Sequence, residues 1–215
     1  MTRPKPDLRP RKKPRQRRSQ RMRNDILDAG VRVLQREGAQ RFTMPRVAEA
    51  AGISVGSLYQ YFPNKQALIF AIHLIAVDRA WVEVQAILRN SQWLAREKLQ
   101  RIARFFFRVE SDDVTQMGAA LQEAEIYFDD QPEHRTLDGQ VIEKFTTFVR
   151  DALPHASRSH VEFATHLIVI TLESVGKSVA RRGLAQPEVS RWADECAAML
   201  ADHLGLPLAQ GKCQQ

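Results

Sequence analysis

Apolar residues recur at helical spacing in two short runs between Thr43 and Phe62. In the first run they fall at positions i, i+3, i+4 and i+7, the apolar stripe of a short helix. These residues are Met44, Val47, Ala48 and Ala51. The hydroxyl of Thr43 is placed to cap this helix. Gly52 is predicted to end it, because glycine enters the left-handed conformation without a Cβ clash.

A second helix is predicted to start at Ser54, two residues after the first ends. Its hydroxyl can act as the cap, and Ile53 and Leu58 have the spacing of a hydrophobic staple, which fixes the angle of a helix start. Leu58 and Phe62, four residues apart, form the buried side of this helix. Two short helices joined by so tight a turn cross steeply, so residues 43–62 are predicted to be a helix-turn-helix.

The outer face of the second helix carries hydroxyl groups, an amide and a glycine, and it has no acidic residue. Its residues are Val55, Gly56, Ser57, Tyr59, Gln60 and Tyr61. Such a face suits a groove lined by phosphates and base edges, and the alternative is an ordinary solvated helix. Lys65 favours the groove. With Asn64 as the cap of the next helix, Lys65 lies in the first turn, where a cation is unfavourable unless an anion is bound.

Residues 21–80 resemble the DNA-binding domain of the TetR family of bacterial transcription regulators. The family pattern is a helix that begins at Thr, then Ala-x-x-Ala-Gly-Val/Ile-Ser, then Gly-Ser/Thr-Leu-Tyr-x-Tyr/His-Phe-x-x-Lys. This sequence has that pattern at Thr43, 48–54, 56–62 and Lys65. In the family, the second short helix enters the major groove of DNA, and the resemblance implies the same use here.

The resemblance also implies which residues contact DNA. The positions that approach bases or sugars in the family are Val55, Gly56, Ser57 and Tyr59, and those that hold phosphates are Tyr61 and Lys65. Met44 and Pro45 stand where relatives often carry polar or basic side chains, so Thr43 and Arg46 are the expected backbone contacts of the first short helix. The complete expected set is Thr43, Arg46, Ser54, Val55, Gly56, Ser57, Tyr59, Gln60, Tyr61 and Lys65.

Basic residues gather at the start of the chain. The 215 residues carry a formal net charge of +7, but residues 1–23 hold eleven Lys or Arg against Asp7 alone, so the remainder is slightly acidic. Four prolines among these charges predict a disordered arm over residues 1–18. We expect the arm to follow DNA phosphates or enter a minor groove. The alternatives are a solubility tail and a patch for anionic membranes.

Helical periodicity continues to the end of the chain, and no stretch shows sustained strand alternation. A first helix is predicted over 20–37, with Phe42 as a core plug and Gly30 at a close helix contact. A long helix is predicted over 64–90, with Leu68, Ile72, Ile75, Ala76 and Val82 along one side. Further helices are predicted over 91–111, 113–130, 133–153, 157–182 and 187–205, between turn signals.

The expected fold is therefore all-α. An N-terminal three-helix helix-turn-helix DNA-binding domain (19–80) is followed by a C-terminal helical domain for ligand binding and dimerisation (81–207) and a tail (208–215). Residues 157–182 and 187–205 are more apolar than one core contact needs. The alternative is that each helix is buried within one subunit.

The family resemblance implies dimerisation, since TetR-like proteins dimerise through their last two helices as a two-fold four-helix bundle. Such a dimer presents two reading helices and prefers a palindromic operator. The contact is expected to include Leu167, Ile168, Leu172, Val175, Trp192, Cys196 and Leu200.

The middle helices are rich in aromatic residues. Each of these residues, taken singly, is typical of a core. Together they fit an apolar or aromatic effector pocket of the kind that family members enclose there. The expected pocket residues are Phe105, Phe106, Met117, Tyr127, Phe128, Phe145 and Phe148.

No metal site, cofactor or catalytic group is predicted. Glu162 and His166 lie four apart, but that spacing is common by chance, and no Ser-His-acid arrangement or phosphate-cradling loop occurs. Cys196 and Cys213 form neither a metal pair nor a disulfide framework. No run approaches the roughly 20 apolar residues that span a bilayer, and the basic start has no signal-peptide core. The chain is expected in the cytoplasm.

The leading hypothesis is a homodimeric, sequence-specific DNA-binding regulator. In this family such proteins are most often repressors, and an effector among the middle helices would release this one. The alternatives are an activator, an effector-independent DNA-binding protein, or, from another class, a helical interaction protein whose basic arm binds RNA or a membrane.

Overall fold

The computed structural model describes residues 17–125 and 131–206, and in this part of the chain all regular structure is helical. Side chains are described except at 113–125, 132–135, 137 and 138. The α-helices are α1 (Arg17–Glu37), α2 (Met44–Ala50), α3 (Val55–Tyr61), α4 (Lys65–Arg89), α5 (Ala95–Glu125), α6 (Pro132–Ala152), α7 (Arg158–Ala180) and α8 (Gln186–His203). A 3-10 turn, Ala39–Arg41, lies between α1 and α2. The predicted all-α fold is confirmed.

The chain divides into two compact units. One consists of Met1–Asp78 with Asp113–Arg135, and the other of Arg79–Asp112 with Thr136–Gln215. Helices α4, α5 and α6 each continue from one unit into the other. The domains expected from the sequence, 19–80 and 81–207, are each one continuous segment, whereas each compact unit combines two segments. The expected domain limits stay a prediction. Residues 1–16 of the predicted arm and the tail 208–215 lie outside the described residues, while Arg17 and Arg18 are already helical.

The core of the first unit is built from α1 to α4. Phe42 and Phe62 are fully buried in it, as the apolar pattern predicts. A Cβ atom on Gly30 would lie 2.8 Å from Cδ1 of Ile72, a distance that real Cβ contacts do not reach. Glycine therefore lets α1 and α4 approach closely, as expected. The N-terminal helix begins at Arg17, three residues before the predicted start at Gln20.

Two expectations for the middle of the chain were wrong. The helices predicted over 91–111 and 113–130 form one helix, α5. The Ser111-Asp112-Asp113 sequence is only mildly unfavourable in a helix, and without Gly or Pro it does not stop one. Val82 is 60% exposed instead of lining the buried side of α4, because Trp81 and Val84, three apart, form that side.

The core of the second unit gathers apolar side chains of α4 to α8, with Leu99, Phe107 and Ile168 fully buried. Two polar links join α5 to α8. Arg104 donates to Asp194 from Nε at 2.5 Å and from Nη2 at 2.7 Å, and Gln100 donates to the same carboxylate at 3.0 Å. The second link pairs Arg96 with Asp202. These links add polar contacts between α5 and the middle and end of α8 to the apolar packing of the core.

α7 is long and apolar enough, by length and composition alone, to cross a membrane. The core helix of a soluble protein passes the same test, and 39% of the apolar window is buried within the fold. Thr165 is fully buried, where its hydroxyl donates to the carbonyl oxygen of Val161 at 2.8 Å. One side of α7 therefore belongs to the core, while the opposite side exposes the apolar residues Phe163 and Ile170.

Candidate nucleic-acid interface

The two short helices start and stop where the sequence predicts. Thr43 Oγ1 accepts a hydrogen bond from the backbone N–H of Arg46 at 3.3 Å, and Ser54 Oγ accepts from that of Ser57 at 3.1 Å. Gly52 has φ +67°, the left-handed conformation that ends α2. The predicted helix-turn-helix is confirmed, and its geometry depends on interactions within a few residues of each turn.

The outer face of α3 is open. Val55, Gly56, Tyr59 and Gln60 are exposed, while Leu58 and Phe62 are fully buried beneath them. Ser57 and Tyr61 lie at the edges and are half-buried. A Cβ atom on Gly56 would meet just Ser54 Oγ, at 3.9 Å, so internal packing does not require glycine there. Room for a ligand backbone explains this glycine better.

The two residues expected to hold phosphates lie at the C-terminal end of α3 and just beyond it. The Tyr61 hydroxyl accepts a long hydrogen bond, 3.4 Å, from Ser19 at the start of α1. Asn64 caps α4 by accepting from the backbone N–H of Ala67 at 2.7 Å, which confirms its predicted place. The Lys65 ammonium lies 5.9 Å from the centre of the Phe42 ring, and no carboxylate among the described residues pairs with it. Lys65 thus has an ammonium available to an anion.

Arg46 is engaged within its own unit. Glu37, the last residue of α1, accepts from Arg46 Nε at 2.9 and 3.0 Å and pairs with Nη2 at 2.8 Å. Glu49 pairs with Nη1 at 2.6 Å. The hydrogen bond from Arg46 holds the pKa of the Glu37 carboxyl below its usual value, and the same bond raises the pKa of Arg46. To contact DNA, Arg46 must exchange a carboxylate for a phosphate.

These acidic partners were missed from the sequence. The Arg46–Glu49 pair has i, i+3 spacing and could have been found, since such residues are neighbours on a helix. The Glu37–Arg46 pair joins two helices across a turn, and no local pattern shows it.

Four of the seven residues expected at a dimer contact are instead buried in the core of their own unit: Ile168, Leu172, Cys196 and Leu200. This part of the expectation is corrected. Helical periodicity marks apolar stripes, but it does not tell which stripe packs inside the subunit. Leu167 and Val175 are half-buried, and Trp192 is exposed. Burial also raises the pKa of the Cys196 thiol, which keeps that thiol protonated.

α7 and α8 each carry two exposed large apolar side chains, which together are called the exposed stripe of α7 and α8 below. Phe163 is 58% and Ile170 59% exposed on α7, seven residues apart with the half-buried Leu167 between them. Trp192 and Met199, also seven apart, are exposed on α8. Seven residues are close to two helical turns, so each pair lies on one side of its helix.

The expected effector residues lie partly in the core. Phe145 and Phe148 are buried and meet edge to face, with ring centroids 6.3 Å apart. Phe105 and Phe106 are half-buried. Tyr127 and Phe128 lie outside the described residues. Met117 is part of α5, but its side chain is not among those described. The pocket stays a prediction.

The histidine and acid on α7 have other partners. The Glu162 carboxylate accepts from Arg158 at 2.8 Å, and the Glu162 carbonyl oxygen lies 2.8 Å from Nδ1 of His166. Where the chain is described, no group of three metal-ligating residues comes together.

The fold and this site define a class of protein: a helix-turn-helix DNA-binding domain continuous with a helical domain. Residues 26–72 match the family model described as bacterial regulatory proteins, tetR family. Over these residues the chain carries a DNA-binding domain of the TetR type, and TetR-family proteins are DNA-binding regulators and not, in general, enzymes.

Curated relatives are similar over part of their length. An HTH-type transcriptional regulator of Staphylococcus aureus is 30% identical over 95 residues, 44% of this chain and 47% of that protein. The nucleoid occlusion factor SlmA of Glaesserella parasuis is 34% identical over 73 residues, 32% of this chain and 35% of that protein. The chain thus spans less than half the length of these relatives in the matched regions.

Solved structures share the fold over most of the chain. A putative TetR-family transcriptional regulator from Mesorhizobium loti has a TM-score of 0.62 at 17% identity, covering 87% of this chain and 98% of that one. The transcriptional regulator FadR from Bacillus subtilis, in complex with stearoyl-CoA, has a TM-score of 0.62 at 16% identity, covering 82% and 96%. At these identities the likeness is one of fold.

Proposed function

We propose that the chain is a cytoplasmic, homodimeric, sequence-specific DNA-binding repressor that a small, largely apolar effector releases from its operator. The observation that carries this proposal is the open face of α3. Val55, Gly56, Tyr59 and Gln60 are exposed on it, internal packing does not require the glycine, and the face carries no acid that would repel a phosphate.

In this proposal α3 lies in the major groove. The hydroxyls of Ser57 and Tyr59 and the amide of Gln60 offer donors and acceptors to base edges, which carry sequence information. Tyr61 and Lys65 contact phosphates, which fixes the position of α3 but adds little sequence preference. The remaining expected contacts, Thr43, Arg46, Ser54, Val55 and Gly56, lie at the starts of α2 and α3.

The exposed stripe of α7 and α8 supports a two-fold dimer. Large apolar side chains so exposed in a row are unfavourable in water and typical of a contact surface. We propose a second copy of this chain as the partner, with Phe163, Ile170, Trp192 and Met199 in the contact. Two copies of α3 would then read half-sites one DNA turn apart, about 34–36 Å.

The proposed apolar part of the effector is a long acyl chain, such as the chain of an acyl-CoA. Support comes from the aromatic side chains of α5 and α6 and from the fold relative that was solved with stearoyl-CoA. Release requires the effector to bind more tightly to a dimer conformation in which the two α3 helices do not fit their half-sites. An effector with equal affinity for both conformations would not shift the equilibrium between them.

A second candidate is a DNA-binding factor that works without an effector. The similarity to the nucleoid occlusion factor SlmA favours it. Such a protein would bind its sites equally well with and without acyl compounds.

Selection from random duplex DNA, followed by binding measurements, tests the proposal. We expect enrichment of a palindrome whose half-sites lie one helical turn apart, and a tenfold or greater loss of affinity on adding a long-chain acyl-CoA. Free fatty acid and coenzyme A serve as controls for the two halves of the effector. An enriched palindrome with no acyl response favours the second candidate, and no enrichment of any sequence contradicts both.

A further inference from the structure

Arg46 lies between two carboxylates that differ in strength. Glu37 holds the Nε and Nη2 side of the guanidinium through two N–H groups, and its side chain is 19% exposed. Glu49 makes a single contact at Nη1 and is 69% exposed. A bidentate, shielded pair keeps the plane of the guanidinium fixed, whereas an exposed single pair is screened by water and salt and exchanges easily.

The guanidinium has a second edge that can bind an anion. Its five N–H groups form a planar fork, and one edge is formed by Nη1 and Nη2. Glu37 binds the edge formed by Nε and Nη2, and Glu49 alone binds Nη1. A phosphate oxygen that replaced Glu49 would find the donors already oriented by Glu37.

We propose that Glu37 is a positioning residue that presents Arg46 to a DNA phosphate, and that Glu49 is the internal competitor that the phosphate displaces. The inference rests on the proposed function, because the phosphate is one of the DNA backbone beside α2. Its consequence is that the two carboxylates have opposite effects on DNA affinity. Glu37 strengthens binding, and Glu49 weakens binding to every DNA sequence.

Opposite signs distinguish this arrangement from a simple charge effect. Removing any negative charge near DNA favours binding, so general electrostatics predicts tighter binding for both Glu37→Gln and Glu49→Gln. The proposal predicts that Glu49→Gln binds about two- to fivefold more tightly, the range of an exposed ion pair. It predicts that Glu37→Gln binds about threefold more weakly, since the guanidinium loses its bidentate support.

The experiment measures affinity for the selected palindrome and for an unrelated duplex of equal length, over a series of salt concentrations. Arg46→Ala is expected to weaken both complexes and to lower the salt slope by about one. In the Arg46→Ala background, neither Glu37→Gln nor Glu49→Gln should change affinity further. Asp28→Asn, at an exposed acid of α1, measures the general effect of removing a charge from this unit. Thermal unfolding shows which variants are folded at the assay temperature.

Three results would overturn the inference while wild-type protein still binds DNA. The first is equal tightening by both Gln variants and by Asp28→Asn. The second is an effect of either Gln variant that persists without Arg46. The third is an unchanged salt slope in Arg46→Ala. Wild-type protein that binds no duplex would instead overturn the proposed function together with this inference.

Discussion

The open face of α3 and the exposed stripe of α7 and α8 differ in chemistry, although each lies on helices whose opposite sides are buried. The α3 face presents hydroxyls, an amide and a glycine, and its caps satisfy the backbone at the helix start. The stripe presents two large apolar residues on each helix. Polar groups on a rigid helix suit a wet, charged groove, while apolar residues gain free energy by leaving water. This difference is the reason why we propose DNA as the partner of one face and a second protein chain as the partner of the other.

The largest expected effect tests the stripe. Phe163→Asp combined with Ile170→Asp should dissociate the proposed dimer, because burying each of these side chains contributes about 1.5–3 kcal/mol, or roughly two to four orders of magnitude in the dissociation constant for the pair. Analytical ultracentrifugation measures this constant. Val82→Asp is the matched control, since Val82 is exposed to the same degree on α4 and should leave the dimer intact. A dimer that survives the double substitution would remove this stripe from the interface.

The second prediction tests the phosphate end of the α3 face. Lys65→Ala should weaken binding to all duplexes by about tenfold at low salt and lower the salt slope by about one, because one ammonium–phosphate contact is lost. Lys144→Ala, at an exposed lysine of α6, should change neither quantity. A salt slope unchanged in Lys65→Ala would contradict the phosphate role.

The third prediction compares two glycines of the first unit. Gly30→Ala places a methyl group against Ile72 and should lower the free energy of unfolding by about 1–3 kcal/mol. The methyl group of Gly56→Ala makes just an ordinary contact with Ser54 Oγ, so this substitution should raise the free energy of unfolding by about 0.5–1 kcal/mol, the gain in helix propensity. Gly56→Ala should nonetheless weaken DNA binding, since the methyl group stands where the groove approaches. Thermal unfolding and binding are measured on the same samples, and an unaffected affinity in Gly56→Ala would place α3 farther from DNA.

Sequence reasoning succeeded where the determining contacts are local. Thr43, Gly52 and Ser54 act within three residues along the chain, and these positions defined the helix-turn-helix to within a residue. It failed where the contacts are distant. Ile168 and Leu200 are as apolar as the exposed Ile170 and Met199, and tertiary packing alone decides which of them face the core.

The candidate DNA-binding site depends on both local and distant contacts. The exposed residues of α3 could be predicted because this helix is short and has one buried side. Arg46 could be predicted as basic and near α2, but its bond to Glu37 forms only after α1 and α2 pack. The sequence therefore indicates the candidate DNA-binding residues, and tertiary structure determines which of their charged groups are already paired within the protein.

The fourth prediction tests the α3 face for sequence preference. Tyr59→Phe keeps the ring and removes the hydroxyl, so it should change the preferred base at one or two positions of each half-site, with an affinity change of about fivefold for the original palindrome. Repeating the selection from random DNA with this variant measures the shift. Identical enriched sequences would show that the Tyr59 hydroxyl does not read a base.

The smallest expected effect concerns what holds α8 in place behind its exposed stripe. The hydrogen bond from Arg104 lowers the pKa of Asp194 below its ordinary value of 3.8, although desolvation acts in the opposite direction. A carboxyl with a depressed pKa stabilises the fold above its unfolded pKa, and this contribution is lost as the pH falls through the folded pKa. Asp194→Asn should therefore lower the free energy of unfolding near pH 6 by less than about 1 kcal/mol, since the pair is partly exposed.

Wild type and Asp194→Asn should become equally stable as the pH approaches 2, which chemical denaturation across that pH range measures. The dimer dissociation constant near pH 6 should be the same for both proteins. Val189, Ala193 and Leu200 bury the inner side of α8 and set its position, so the ion pair adds stability without orienting Trp192 and Met199. A weakened dimer in Asp194→Asn would show instead that the polar link to α5 orients the exposed stripe, and the two sides of α8 would then be coupled.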